Sequence, residues 1–116
     1  MNLYEIWCDL KPGMSDLAFA ERTADWLGRL QGEAAIERFR LTRRKLGFGP
    51  PALGEFHIQI EVRDLAQLDK AFLIAASRAE PYELLHHCVN HMVENVKFAL
   101  YRDFPDAVRQ VGAERF

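Results

Sequence analysis

The sequence predicts an α+β fold: an antiparallel sheet of four strands with helices on one side. Three observations carry this expectation. Stretches of strand alternation at 2–10, 36–46, 55–63 and 96–104 are interleaved with helical spacing at about 15–31 and again from 64 onward. The resulting order, β-α-β-β-α-(α)-β, is one split βαβ pair, which closes as an antiparallel sheet with its helices on a single face. The chain also has the size and makeup of one folded unit, residues 1–116 as a single domain, with 49% hydrophobic and 28% charged residues.

Each element has a local reason. NLYEIWCDL (2–10) is rich in aromatic and branched side chains and reads as a strand. KPGM turns the chain, and Ser15 or Asp16 can cap a helix running to about residue 31. Leu17, Ala20, Ala24 and Leu27 recur at helical spacing, with Phe19, Thr23, Trp26 and Leu30 widening the stripe, and Gly32 ends it. IERFRLTRRKL (36–46) alternates as a second strand, and GFGPPALG (47–54) concentrates turn residues into a loop. EFHIQIEVR (55–63) has the cleanest alternation in the chain. Asp64 then caps a second helix with Leu65, Leu68, Phe72 and Ala75 on one face. Pro81 breaks that helix, because its ring would clash with the Ser77 carbonyl and it pushes Glu80 toward extended geometry. Proline suits the first position of a new helix, so a third helix is expected from 81 to about 94. VKFALYRDF (96–104) is the fourth strand, Pro105 stops it, and 105–116 is a mostly polar C-terminal tail.

Composition narrows the function classes. A formal charge of −2 gives no basic field to attract nucleic acid or anionic lipid. The N-terminus carries acids rather than a basic signal-peptide region, and no apolar run approaches the ~18 residues of a membrane span, so a cytoplasmic protein is expected. Cys8 and Cys88 have no CxxC spacing and read as reduced, packed thiols.

Alternation sorts the strands into two faces. One face collects Tyr4, Ile6, Cys8 and Leu10 with Phe39, Leu41, Phe56, Ile58, Ile60, Val62, Val96, Phe98 and Leu100, the core expected under the helices. The other collects Glu5, Trp7, Asp9, Arg38, Arg40, Thr42, Arg44, His57, Gln59, Glu61, Lys97, Tyr101 and Asp103. With the usual strand order for this topology, β4-β1-β3-β2, Trp7 is expected between Tyr101 and His57. An RNA-recognition domain has the same topology but stacks bases on aromatics of its third strand. Here those positions hold His57, Gln59 and Glu61, so nucleic acid is not an expected partner.

The opening strand, LKPGMSD and the capped helix, together with EFHIQIEVRDLAQLDKAF and VKFALYRDF, resemble an uncharacterised, stress-responsive branch of the dimeric α+β-barrel superfamily. That resemblance implies a ferredoxin-like fold and a homodimer in which the sheets of two subunits face each other. The helix at 81–94 departs from the short connection usual in that group. Members of the superfamily include cofactor-free monooxygenases, haem-degrading enzymes, lactone isomerases and proteins without known chemistry, so the fold does not name a reaction. It does supply a role for the second face as the lining of an enclosed space. Trp7, Tyr101, Arg38, Arg40 and Gln59 would then contact a small molecule, since aromatic walls with a few fixed polar groups make an ordinary ligand site. The same charges, Glu5, Asp9, Glu61, Arg38, Arg40 and Lys97, also serve as cross-strand ion pairs fastening a dimer.

PYELLHHCVNHM (81–92) packs three of the four histidines into one helix. Tyr82, Leu85, Val89, Met92 and Val96 form its apolar stripe, and Glu83, His87 and His91 share the opposite face. That trio is a weak candidate metal set, because HCVNH lacks the glutamate of HExxH and no third ligand is evident. No metal and no cofactor are expected, and the histidines also suit a solvated helix edge. His86 on the flank can tuck toward a pocket. His57 beside Trp7 is the candidate catalytic base, or else a hydrogen-bonded structural histidine. The loop LGFGPPALG (46–54) is longer than a hairpin requires. It is expected to fold over one end of the pocket or onto the partner with Phe48 buried; otherwise it is an open hairpin end. Three functions follow: a protein binding a small aromatic or apolar molecule beside the sheet, a cofactor-free monooxygenase or isomerase using His57, or a structural dimer module.

Overall fold

Backbone alternation and helix caps define the elements in the computed structural model, which describes residues 1–107 and 109–112. In chain order these are β1 (Asn2–Leu10), α1 (Asp16–Gly32), β2 (Arg38–Arg43), β3 (Phe56–Val62), α2 (Leu65–Ala76), α3 (Tyr82–Asn90) and β4 (Val93–Arg102). The four strands form one antiparallel sheet in the order β2-β3-β1-β4. Residues 103–107 and 109–112 form turns and bends; the remainder of the expected tail, residue 108 and 113–116, lies outside the described residues. Among the described residues no helix is long and apolar enough to cross a membrane.

The caps hold as their chemistry predicts. The Ser15 hydroxyl accepts the Ala18 N–H at 3.2 Å, and Asp64 Oδ1 accepts the Gln67 N–H at 2.9 Å. Gln67 does more than its sequence position suggests. Only 3% exposed, it accepts the Arg63 N–H at 2.9 Å and donates to the Ala34 carbonyl at 3.1 Å. The first turn of α2 is thereby clamped to the turn after α1, and all four polar groups escape the cost of burial without a partner. At the same C-terminal end of α1, the Tyr82 hydroxyl donates to Glu33 at 2.7 Å, and Arg29 pairs with the same carboxylate at 3.0 Å. That cluster ties α3 to α1.

Several expectations shift by a residue or two. The buried stripe of α1 is Phe19, Thr23, Trp26, Leu27 and Leu30, whereas Leu17 is 79% exposed. On α2 the buried residues are Gln67, Leu68 and Ala71, while Leu65 and Phe72 are about half exposed. Both stripes rotated because the Phe19 contact with Phe56 and the Gln67 clamp fix each helix about its axis. The third helix stops at Asn90 rather than 94, and β4 starts at Val93. Val93 pairs with Leu10, and the Met92 carbonyl accepts the Lys11 N–H at 2.9 Å, so pairing with β1 overrides a helical period that continues through Val96. Phe98 and Leu100 face the helix side as expected but are 61% and 52% exposed. β4 is an edge strand packed chiefly on β1, and among the described residues its Phe98 and Leu100 are left largely uncovered by the helices.

Two glycines give opposite tests of this packing. A Cβ on Gly54 would lie 2.7 Å from the Cys8 nitrogen, where β3 is entered hard against β1. Gly28 lies within α1 and has nothing within 4 Å of its would-be Cβ. Gly54→Ala should lower unfolding stability by about 1–3 kcal/mol in urea titration. Gly28→Ala should raise it by about 0.5–1 kcal/mol.

Candidate functional site

A cavity of about 350 Å³ opens between the helix side of the sheet and the three helices. The sheet supplies Tyr4, Ile6 and Cys8 from β1, Ile58 and Ile60 from β3, and Val96 and Phe98 from β4. Over it stand Phe19, Thr23, Trp26, Leu27 and Leu30 from α1, Leu68, Ala71, Phe72 and Ala75 from α2, and His86, Val89 and Asn90 from α3. The α1 side is closed, with Phe19 at 0% and Thr23 at 1% exposure. The opposite side is open, and Phe72, Phe98 and Asn90 rim it. Tyr4 holds the rim together: its ring meets Phe72 edge-on at 5.2 Å and stacks on Phe98 at 5.9 Å.

Among the described residues that line it there is no Lys, Arg, Asp or Glu. Thr23, His86, Asn90 and the Tyr4 hydroxyl are the principal polar groups. Thr23 Oγ1 is buried without a hydrogen-bond partner among the described residues. The His86 ring lies flat on Trp26, 5.1 Å between centroids at 19°. Burial, and secondarily the charge of His87, pushes the His86 pKa below its ordinary value. Burial also raises the Tyr4 pKa, and it pushes the Cys8 thiol to about 11, aided by Asp9. Cys8 is therefore a packed hydrophobe rather than a nucleophile.

Of the residues the sequence nominated, His86 alone reaches this cavity. His57, Trp7, Gln59, Arg38, Arg40 and Tyr101 occupy the outer sheet face. There His57 Nε2 and Glu5 Oε2 share a 2.5 Å hydrogen bond, Gln59 donates to Glu5 Oε1 at 2.9 Å, and Trp7 stacks on the His57 ring at 5.0 Å. The expected Trp7–Tyr101 neighbourhood does not form. Trp7 pairs across β4 with Lys97, and Tyr101 faces Leu3, four residues or about 13 Å along the strand. A bulge at Asn95 and the early start of β4 set that register. Arg38 is taken up by Glu61 at 2.5 Å.

Phe48 is 80% exposed and is not among the residues lining the cavity, so among the described residues the loop does not close over it. Arg44 instead folds its guanidinium back onto the loop, bonding the carbonyls of Pro50 at 3.0 Å and of Leu53. Glu83, His87 and His91 do not gather as a set. His87 and His91 stack at 5.3 Å, His91 Nδ1 donates to the His87 carbonyl at 2.8 Å, and among the described residues no three potential ligands converge. Sequence reasoning missed Tyr4, Phe72 and Thr23. Thr23, a polar residue inside the apolar run Phe19–Thr23–Trp26–Leu30, was the available signal.

Two outcomes follow. Thr23→Val removes an orphan hydroxyl and should raise stability by about 1 kcal/mol in urea titration. The unfolded chain binds a proton that half-buried His86 resists, so the stability it contributes is full above about pH 6.5 and is lost as pH falls toward the lower folded-state value. Acidification through that window should therefore destabilise the wild type more than His86→Phe.

Comparison with solved structures places the chain among ferredoxin-like folds. It superposes on a dimeric ferredoxin-like protein of unknown function from Jannaschia sp. CCS1 with a TM-score of 0.65 at 13% identity, covering 89% of this chain and 100% of that one. The Arabidopsis thaliana protein At3g17210 gives a TM-score of 0.70 at 10% identity, with 91% and 98% covered. A protein described as an antibiotic biosynthesis monooxygenase gives 0.60 at 18% identity, with 90% and 100% covered. At these identities the likeness shows the fold alone. No curated protein matches the chain. Its full length, residues 1–116, matches the family described as Family of unknown function (DUF6614), and the chain belongs to that family.

Proposed function

We propose that this protein binds a small aromatic or apolar molecule in the cavity between its sheet and its helices, and that it works as a homodimer joined through the outer sheet face. The observation that carries the first part is the cavity itself, about 350 Å³ and lined almost wholly by hydrocarbon and aromatic groups. Small-molecule sites have this size and makeup, with a few polar groups to orient the occupant. Because one side is open, water reaches these walls, and an apolar occupant that displaces it gains about 25 cal/mol for each Å² of apolar surface taken out of water.

The dimer rests on different observations. Trp7, Tyr101 and Ala99 share an outer face on which Tyr101 is 59% exposed and Trp7 and Ala99 are partly exposed, and the similar Jannaschia structure is described as dimeric. A second functional reading, cofactor-free monooxygenase or isomerase chemistry, is favoured by the Glu5–His57 hydrogen bond. A buried carboxylate orienting an imidazole is the arrangement of an activated base. It would need the partner's sheet to enclose a substrate beside Trp7, and it predicts turnover that disappears in His57→Ala.

Naphthalene tests the cavity. It should raise the melting temperature of the wild type, by the linkage that stabilises any liganded native state, and quench Trp26 fluorescence. Ala75→Phe, which fills the cavity from α2, should abolish both effects while the protein stays folded. No response in the wild type would leave the structural dimer as the better reading. Sedimentation at micromolar concentration should show a dimer, and Ala99→Trp should convert it to monomer by crowding the outer face with a bulky ring.

A further inference from the structure

We propose that the cavity selects a neutral two-ring aromatic molecule bearing a single hydroxyl group, and that His86 is the specificity-determining residue, hydrogen-bonded to that hydroxyl. This deepens the reading of the cavity as a small-molecule site and rests on it.

Size is the first argument. An apolar cavity of about 150 Å³ takes benzene, so about 350 Å³ accommodates two fused rings with a substituent. Charge is the second. Among the described lining residues there is no Lys, Arg, Asp or Glu. A carboxylate or ammonium entering would lose its water and gain no counter-ion, a penalty that a neutral molecule avoids.

The third argument is the placement of the polar groups. Thr23 on α1 and His86 and Asn90 on α3 lie on the helix side and Tyr4 stands at the rim, whereas Ile6, Ile58, Ile60 and Val96 make the sheet side a hydrocarbon floor. An occupant therefore lies with its ring face on the sheet and its polar edge toward α3. His86 is the group best placed to meet that edge. Stacking on Trp26 fixes the ring, and neither ring nitrogen has a hydrogen-bond partner among the described residues. Its lowered pKa leaves the imidazole neutral near pH 7, with one nitrogen accepting and the other donating. A hydroxyl satisfies the accepting nitrogen, which a bare hydrocarbon leaves unpaired.

Four probes of one ring size test this by calorimetry: naphthalene, 2-naphthol, 2-naphthoate and 2-naphthylmethylammonium. 2-Naphthol should bind tightest, about tenfold above naphthalene, and both ions about 100-fold below 2-naphthol. His86→Phe keeps a flat ring on Trp26 and removes the acceptor. It should bring 2-naphthol down to the affinity of naphthalene and leave naphthalene unchanged; should that variant fail to fold, His86→Leu reads the same ratio. Either ion binding as well as 2-naphthol overturns the proposal, as does a 2-naphthol preference that survives both substitutions. Naphthalene equal to 2-naphthol in the wild type overturns the selection while the cavity reading stands. Binding by none of the four overturns both.

Discussion

Glu5 imposes the constraint on which the rest of the sheet depends. Its carboxylate is 6% exposed at the middle of the central strand, and a buried carboxylate without donors would cost several kcal/mol. His57 and Gln59, on neighbouring positions of one face of β3, supply the donors. That requirement admits one register between β1 and β3, because a slip of one residue would bring Phe56, Ile58 and Ile60 to the carboxylate instead. Asp9 fixes the far end of the same register, accepting the Glu55 N–H at 2.9 Å and the Asn95 side chain at 3.2 Å. Once β1 is so held, Tyr4, Ile6 and Cys8 must face the helices, and Glu5 and Trp7 must face away.

The cavity is what remains when the helices obey constraints of their own. Gln67 clamps the start of α2 close to the α1 end of the molecule, and burial along α2 is confined to Gln67, Leu68 and Ala71. Past Ala71 the helix presents Phe72 and Leu73 largely to solvent. α3, tied to α1 through Tyr82 and Glu33, occupies the place where a second layer would otherwise descend onto β1 and β4. Neither helix can drop toward the sheet without breaking a polar contact, Gln67 with Ala34 for α2 and Tyr82 with Glu33 for α3. The elements around the mouth consequently have the fewest buried apolar contacts, and regions of that kind open at the lowest free-energy cost.

Period-two alternation made most of the sheet legible before any coordinates. The strand order follows from the usual arrangement of a split βαβ pair, and the two faces and the Trp7–His57 contact follow from that order together with the alternation within each strand. The register of β4 was not legible, because Val89, Met92 and Val96 satisfy a helical period equally well and only the pairing of Val93 with Leu10 decides between them. The site was legible in one residue, His86, whose flank position on its helix could be computed from spacing. Tyr4 and Phe72 read as ordinary core positions. A cavity is an absence of atoms produced by several helices at once, and no single segment encodes it. Phe48 misled for the converse reason: an apolar side chain in a loop suggests burial, yet Arg44 organises that loop from below and leaves the ring outside.

The sheet also decides how far events on one side can reach the other. β1 contributes alternate residues to the cavity and to the outer face, so a displacement of Ile6 by an occupant would, in a flexible strand, move Trp7 and Glu5 as well. β1 is not flexible in that sense. It is hydrogen-bonded along both edges, and its close approach to Gly54 leaves no room on the β3 side. β4 is paired on one edge only and is interrupted by the bulge at Asn95, while α2 is loosely seated beyond Ala71. Strain from filling the cavity is taken up where resistance is least, in α2, α3 and the outer half of β4. Coupling between two sites requires an element with two arrangements that both sites bias, and β1, paired along both edges, is held more firmly than the edge strand β4. β1 thus separates the two faces: Tyr4, Ile6 and Cys8 line the cavity, while Glu5 and Trp7 stand on the outer side.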